Sequence, residues 1–187
     1  MAAPLTQGAA SATLPLVHVR KFARLRKSVT RAGAWQCATT GGKKMGKESF
    51  PLSKSRRLQL GNEWHWRVDE WAAGQLRGYL LIAYHLGKQN YLASLSLARG
   101  PKEYAIIFSL ENHGDHPGWH VHTAAAPGIY DFATGCTRQR IWGIRLPGKG
   151  RYHRFRKGFD MGPIEARNIA YKAFRIDDAS ESGDLFS

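Results

Sequence analysis

The amino-acid sequence predicts an α+β domain: an antiparallel β-meander of about five strands with one C-terminal helix packed on one face, preceded by a basic flexible N-terminal tail. Three observations carry that prediction. From Glu63 to Thr123, apolar and polar residues alternate in short runs separated by turn residues, the pattern of half-buried strands. After Asp160 the apolar period lengthens to that of a helix. Upstream of residue 57 neither period persists, and Ala, Gly, Ser, Thr and Lys/Arg dominate. The expected organisation is a tail over 1–56, one domain over 57–176 and an acidic flexible tail over 177–187.

The tail carries much of the charge. Lys and Arg total 28 against 14 Asp and Glu, a net +14. Residues 1–47 hold nine of these cations and no carboxylate, which leaves +5 for the rest. Such an excess predicts a polyanionic partner, nucleic acid foremost. Within the tail, "VHVRKFARLRKSVTR" sets Phe22, Leu25 and Val29 at helical spacing among six Lys/Arg. That pattern suits a short basic amphipathic helix for a membrane or a nucleic acid, or an organellar transit segment. A disordered tail, or a shorter protein beginning at Met45, reads the same residues more plainly.

The strands follow in order. "EWHWRVDEW" sets Trp64, Trp66 and Val68 on one side and His65, Arg67 and Asp69 on the other. "LRGYLLIAYH" is denser in apolar residues and reads as a central strand. After the turn "LGKQN", "YLASLSLA" turns Tyr91, Ala93, Leu95 and Leu97 one way. Beyond "RGPKE", "YAIIFSLE" is expected to show Tyr104, Ile106, Phe108 and Leu110 on one face. "GWHVHT" forms a hairpin with it. "PGIYDFATG" reads as a loop or short strand and "RIWGIRLP" as another strand. In "DMGPIEARNIAYKAFRI", Pro163 suits the first helical turn, Glu165 favours its positive end, and Ala166, Ile169, Ala170, Ala173 and Phe174 make one apolar stripe.

Several classes of protein are excluded. The longest apolar-aromatic run, Tyr79 to Tyr84, is far too short to span a bilayer. Two distant cysteines, Cys37 and Cys136, make no disulfide framework, so a reducing, cytoplasmic setting is expected. Cys136 has no evident base beside it. No glycine-rich phosphate loop, Ser-His-Asp order or four-cysteine zinc pattern occurs.

The chemistry concentrates in "ENHGDHPGWHVHT", residues 111–123, which holds four of the eight histidines and two carboxylates, Glu111 and Asp115. Residues two apart on a strand share a face. Placing Trp119 and Val121 in the core with Phe108 and Leu110 therefore gathers Ser109, Glu111, His120 and His122 on the opposite face. His113 and His116 belong to the connecting loop. A bulge of one residue undoes this arrangement. Imidazoles and a carboxylate suit a divalent metal, Zn²⁺, Mn²⁺ or Fe²⁺, with Glu111, His113, His116, His120 and His122 as candidate ligands. The catalytic set would be His120, His122 and Glu111. Without metal, two adjacent imidazoles can serve as base and acid. A solvated face bearing surface histidines is the third reading. His65 and His85 are further candidates across the sheet.

Known patterns touch these residues. "GWHVHT" resembles the His-x-His core of JAMM metallohydrolases, whose following Ser and Asp would fall at Tyr130 and Ala133. "GDHPGWHVH" resembles the Gly-x5-His-x-His opening of a cupin, without the Glu that follows it there. The His120-Val121-His122 triplet is similar to that of replication-initiator and transposase endonucleases, a likeness that implies Tyr171 as nucleophile. The layout over roughly residues 60–175 resembles that of small TumE-like toxins of bacterial toxin–antitoxin pairs.

"GKGRYHRFRKGF", residues 148–159, interleaves Lys149, Arg151, Arg154, Arg156 and Lys157 with Tyr152, a pattern for gripping phosphates and stacking bases. A solvated basic loop is its plain reading. Together these features point to a nucleic-acid-acting phosphodiesterase or nuclease dependent on metal or histidine. The alternative is a non-catalytic nucleic-acid-binding or regulatory module whose histidine hairpin is structural.

Overall fold

The structure is a computed structural model that describes residues 16–38, 45, 60–100, 103–113, 116–123, 136–137 and 161–178. Two helices, α1 (Leu16–Arg24) and α2 (Pro163–Phe174), accompany nine strands. The strands are β1 (Lys27–Arg31), β2 (Gln36–Cys37), β3 (His65–Ala73), β4 (Leu76–His85), β5 (Asn90–Gly100), β6 (Glu103–His113), β7 (His116–Thr123), β8 (Cys136–Thr137) and β9 (Ile176–Asp177). They form one sheet in the order β8-β7-β6-β5-β4-β3-β1-β9, with β2 also on β3. All pairs are antiparallel except β1–β9.

The meander β3–β7 holds the five strands that alternation predicts, and α2 packs on one face as its apolar stripe requires. Two expectations are corrected. Among the described residues the strand count rises to nine because short strands β1, β2, β8 and β9 extend both ends of the meander. Residues 16–38 are also no flexible tail: β1 pairs with β3 and β9, and α1 buries Val19, Phe22 and Ala23. Sequence alternation misses β1 because it is an irregular strand, with a register shift between Val29 and Arg31. At the other end, Asp177 belongs to β9 rather than to an acidic tail. The segments "PGIYDFATG", "RIWGIRLP" and 149–157 lie outside the described residues.

Both helices cover the same face of the sheet. Phe108 of β6 stacks on Phe22 of α1 at 6.0 Å and on Phe174 of α2 at 6.2 Å between ring centroids. One side chain therefore joins both helices to the sheet. Tyr91 adds a polar tie, its hydroxyl donating to the Ala166 carbonyl at 2.9 Å. The opposite face carries a smaller apolar cluster, with Leu60, Trp66, Leu81 and Ala83 buried and Val68, Leu92 and Ile106 packed against them.

A bulge resets the phase of β6. Leu95 pairs with Phe108, but Ser96 pairs with Ile106, so Ile107 is the additional residue. The expectation that Tyr104 and Ile106 share a face with Phe108 and Leu110 is therefore corrected. Ile106 joins the second cluster and Tyr104 packs on Tyr79, while Phe108 and Leu110 face the helices.

Two buried polar sites hold the helix layer. Asp69 accepts from Arg67 Nε and Nη2 (2.9 and 2.6 Å), from the Gly33 N–H (2.9 Å) and from the Tyr171 hydroxyl (2.9 Å). Each buried charge in this group has a partner, as burial demands. Lys27 is fully buried, and its Nζ donates to the carbonyls of Phe22 (3.1 Å), Leu25 (2.9 Å) and Phe174 (3.0 Å). A single ammonium thus satisfies carbonyls at the ends of both helices, which helix geometry leaves without partners.

Desolvation, with Arg175 nearby, pushes the Lys27 ammonium from its ordinary 10.5 down to about 7. The unfolded chain keeps that proton up to about pH 10.5, so above pH 7 it binds more protons than the folded chain. Stability to denaturant is therefore expected to rise from pH 7 to pH 9, and Lys27→Met to abolish that rise. Above pH 10 the slope reverses. Tyr79, Tyr91 and Tyr171 are all raised, chiefly by the hydrogen bond that the Tyr79 hydroxyl donates to Tyr104 for the first and by burial for the other two. They stay protonated when folded while the unfolded chain ionises. Urea melts across this range check both signs.

Candidate metal centre

The hairpin β6–β7 builds the centre. Its register pairs Phe108 with Thr123, Ser109 with His122, Leu110 with Val121 and Glu111 with His120. Phe108, Leu110, Trp119 and Val121 are buried under the helices. Alternation then carries Ser109, Glu111, His120 and His122 to the other face. A second bulge falls between Glu111 and His113, just beyond these pairs, and leaves them in phase.

Three imidazoles surround one carboxylate oxygen. Glu111 Oε2 lies 3.7 Å from His113 Nε2, 3.9 Å from His120 Nε2 and 3.8 Å from His122 Nε2. The ligating atoms of Glu111, His120 and His122 all lie within 4.8 Å of one another. Such separations are too long for hydrogen bonds. They approach those of metal ligands: four atoms about 2.1 Å from a tetrahedral zinc stand about 3.4 Å apart. The three Glu–His distances exceed that spacing by a few tenths of an ångström, and ligand atoms of Glu111, His120 and His122 that stand as much as 4.8 Å apart would have to draw together by about an ångström more to close around an ion. The rings meet edge to face, His120 against His113 at 4.9 Å and against His122 at 5.2 Å between centroids.

The carboxylate is oriented from behind. Glu111 Oε1 accepts from the Ser109 hydroxyl at 2.8 Å, and Ser109 Oγ lies 3.1 Å from Ser94 Oγ on β5. Both serines are buried. This pair holds one oxygen of Glu111 and aims the other at the imidazoles, the support that metal ligands generally need. Sequence reading places Ser109 on this face but not Ser94, whose β5 position becomes relevant only through the β5–β6 register.

The centre is walled on one side and open on the other. His120 is 0% exposed, whereas the Glu111, His113 and His122 side chains keep 25, 24 and 19%. A buried ligand beside partly exposed ones leaves room for water or substrate.

The remaining candidates separate. His116 pairs with His113 across the hairpin in backbone register. His65 lies outside the cluster, stacked on Tyr84 with centroids 4.9 Å apart and its Nε2 3.8 Å from Cys37 Sγ. His85 accepts from the Lys88 N–H at 3.1 Å, lies 3.9 Å from Glu63 and packs edge-on to Trp64. The nucleophile role that the initiator likeness implies for Tyr171 is corrected: that hydroxyl is engaged by buried Asp69 in the helix layer. Cys136 pairs with His122 in backbone register. Lys149, Arg151, Tyr152, Arg154, Arg156 and Lys157 lie outside the described residues, as do Tyr130 and Ala133.

No protein-family model, curated protein or solved structure matches the chain.

Ser109→Ala is expected to weaken Zn²⁺ or Mn²⁺ binding by about 10- to 100-fold while leaving the fold intact. Glu111→Gln, which removes the charge that the imidazoles face, weakens it further. Competition against a chromophoric chelator measures both.

Proposed function

We propose that this protein is a metal-dependent hydrolase that cleaves phosphodiesters, with nucleic acid as the substrate class. The observation that carries this reading is the convergence of His113, His120 and His122 on Glu111 Oε2 at 3.7–3.9 Å in a centre partly open to solvent. Zn²⁺, Mn²⁺ and Fe²⁺ all accept this mixture of imidazole nitrogen and carboxylate oxygen. Glu111, His120 and His122 would hold the ion, and His113 or His116 would assist. A metal held there would activate water and polarise a phosphoryl oxygen. Hydrolysis would replace the ester P–O bond by a bond from phosphorus to the water oxygen, and the departing oxygen would take a proton from water or an imidazole. The net +14 favours an anionic substrate. No helix among the described residues is long and apolar enough to cross a membrane.

Metal-loaded protein is expected to hydrolyse bis(p-nitrophenyl) phosphate and labelled RNA or DNA, faster as pH rises through about 7, where zinc-bound water ionises. His120→Ala/His122→Ala should lower turnover by more than the roughly 100-fold that loss of a supporting residue can cost. Stoichiometric metal without turnover on any of these substrates would overturn the hydrolase reading in favour of a binding module with a structural metal.

A further inference from the structure

The apolar stripe of α1 is committed to the core. Val19, Phe22 and Ala23 are buried, and the Phe22 ring lies 5.4 Å from Trp71 and 6.0 Å from Phe108. An amphipathic helix binds a bilayer by inserting its apolar face. Here Val19, Phe22 and Ala23 are covered by the protein's own sheet, and the exposed side chains described on α1 are charged.

That side is consistently cationic. Arg20, Lys21 and Arg24 are exposed. Helical rise sets Arg20 and Arg24 about 6 Å apart on one side of the helix. Arg26 follows with its side chain 83% exposed. Arg175, at the end of α2, adds a further positive charge beside them, its Nη1 donating to the Arg24 carbonyl at 3.3 Å. Asp177 lies 3.6 Å from Arg26, both side chains being largely exposed. Dipole complementarity accounts for Lys21 and Arg24 in the last turn of α1. It does not account for Arg26, which lies beyond the helix.

We propose that the cationic ridge of Arg20, Lys21, Arg24 and Arg26 is a docking surface for the phosphate backbone of a nucleic acid, engaged without regard to base sequence. Duplex DNA carries one charge per 1.7 Å of its axis, a density matched to closely spaced guanidinium groups. The ridge sits on the helix side near the β1–β9 edge. The histidine centre lies on the other face of the sheet, at β6–β7. The two surfaces are therefore separate, and the ridge acts whether or not the centre holds metal.

Binding of the full-length protein to a labelled random-sequence DNA duplex across a salt series tests this. Arg20→Gln/Lys21→Gln/Arg24→Gln is expected to lose on the order of tenfold or more in affinity at low salt, with a log–log salt slope shallower by about 3. Arg20→Lys/Arg24→Lys keeps the charge and should retain binding. Adding EDTA should leave the parent's binding unchanged, which separates this surface from the hydrolytic centre. If the triple variant fails to fold by circular dichroism, Arg26→Gln, outside the helix, carries the test with a slope change of about 1. A folded triple variant that binds the duplex as tightly as the parent would overturn the proposal. So would a parent that ignores the duplex, or that prefers phosphatidylserine vesicles to it.

Discussion

Everything at the centre depends on the burial of four side chains. Phe108, Leu110, Trp119 and Val121 must face the helices because they are the large apolar residues of the hairpin, and burying each is worth about 1.5–3 kcal/mol. A slip of one residue would expose all four and bury Glu111 with its imidazoles among apolar groups. Hydrophobic burial thereby sets the phase of a polar face that it never touches. The bulges reinforce this. One at Ile107 brings Phe108 and Leu110 into the helix-side phase, and another waits until after Glu111. Between them runs a regular stretch just long enough to align Glu111 with His120 and Ser109 with His122.

Two carboxylates of this protein, Asp69 and Glu111, behave differently. Asp69 is saturated by two guanidinium nitrogens, an amide and a phenol, so it serves as a structural hub between β3, α2 and the segment at Gly33. Glu111 is anchored through one oxygen by the serine pair, while its other oxygen faces three imidazole nitrogens beyond hydrogen-bond range. The first arrangement is closed, and the second is a group that could hold a cation. Lys27 plays the complementary part in the helix layer, where one positive charge gathers the carbonyl ends of α1 and α2.

Much of this was legible in the sequence, for identifiable reasons. Strands β3 to β7 alternate cleanly, so their existence and the shared face of Glu111, His120 and His122 follow from a period of two. The helix α2 announces itself through Pro163 and its alanine stripe. What alternation does not reveal is the bulge at Ile107, because "YAIIFSLE" reads as unbroken alternation until Ser96 pairs with Ile106. The place of residues 16–38 was hidden by composition. A run of arginines and lysines reads as a tail unless one sees that Lys27 is buried on three carbonyls and Phe22 on Phe108. Ser94 was equally out of reach, since its role needs the pairing of β5 with β6.

The account turns on whether the hairpin holds a metal. X-ray absorption at the zinc edge, with elemental analysis, on zinc-loaded protein and on His120→Ala/His122→Ala is the most direct measurement. About one ion per chain is expected in the parent, in a nitrogen and oxygen shell near 2.0–2.1 Å with imidazole scattering, and none in the folded variant. A parent that retains no zinc, or a variant that retains the same shell, would contradict it.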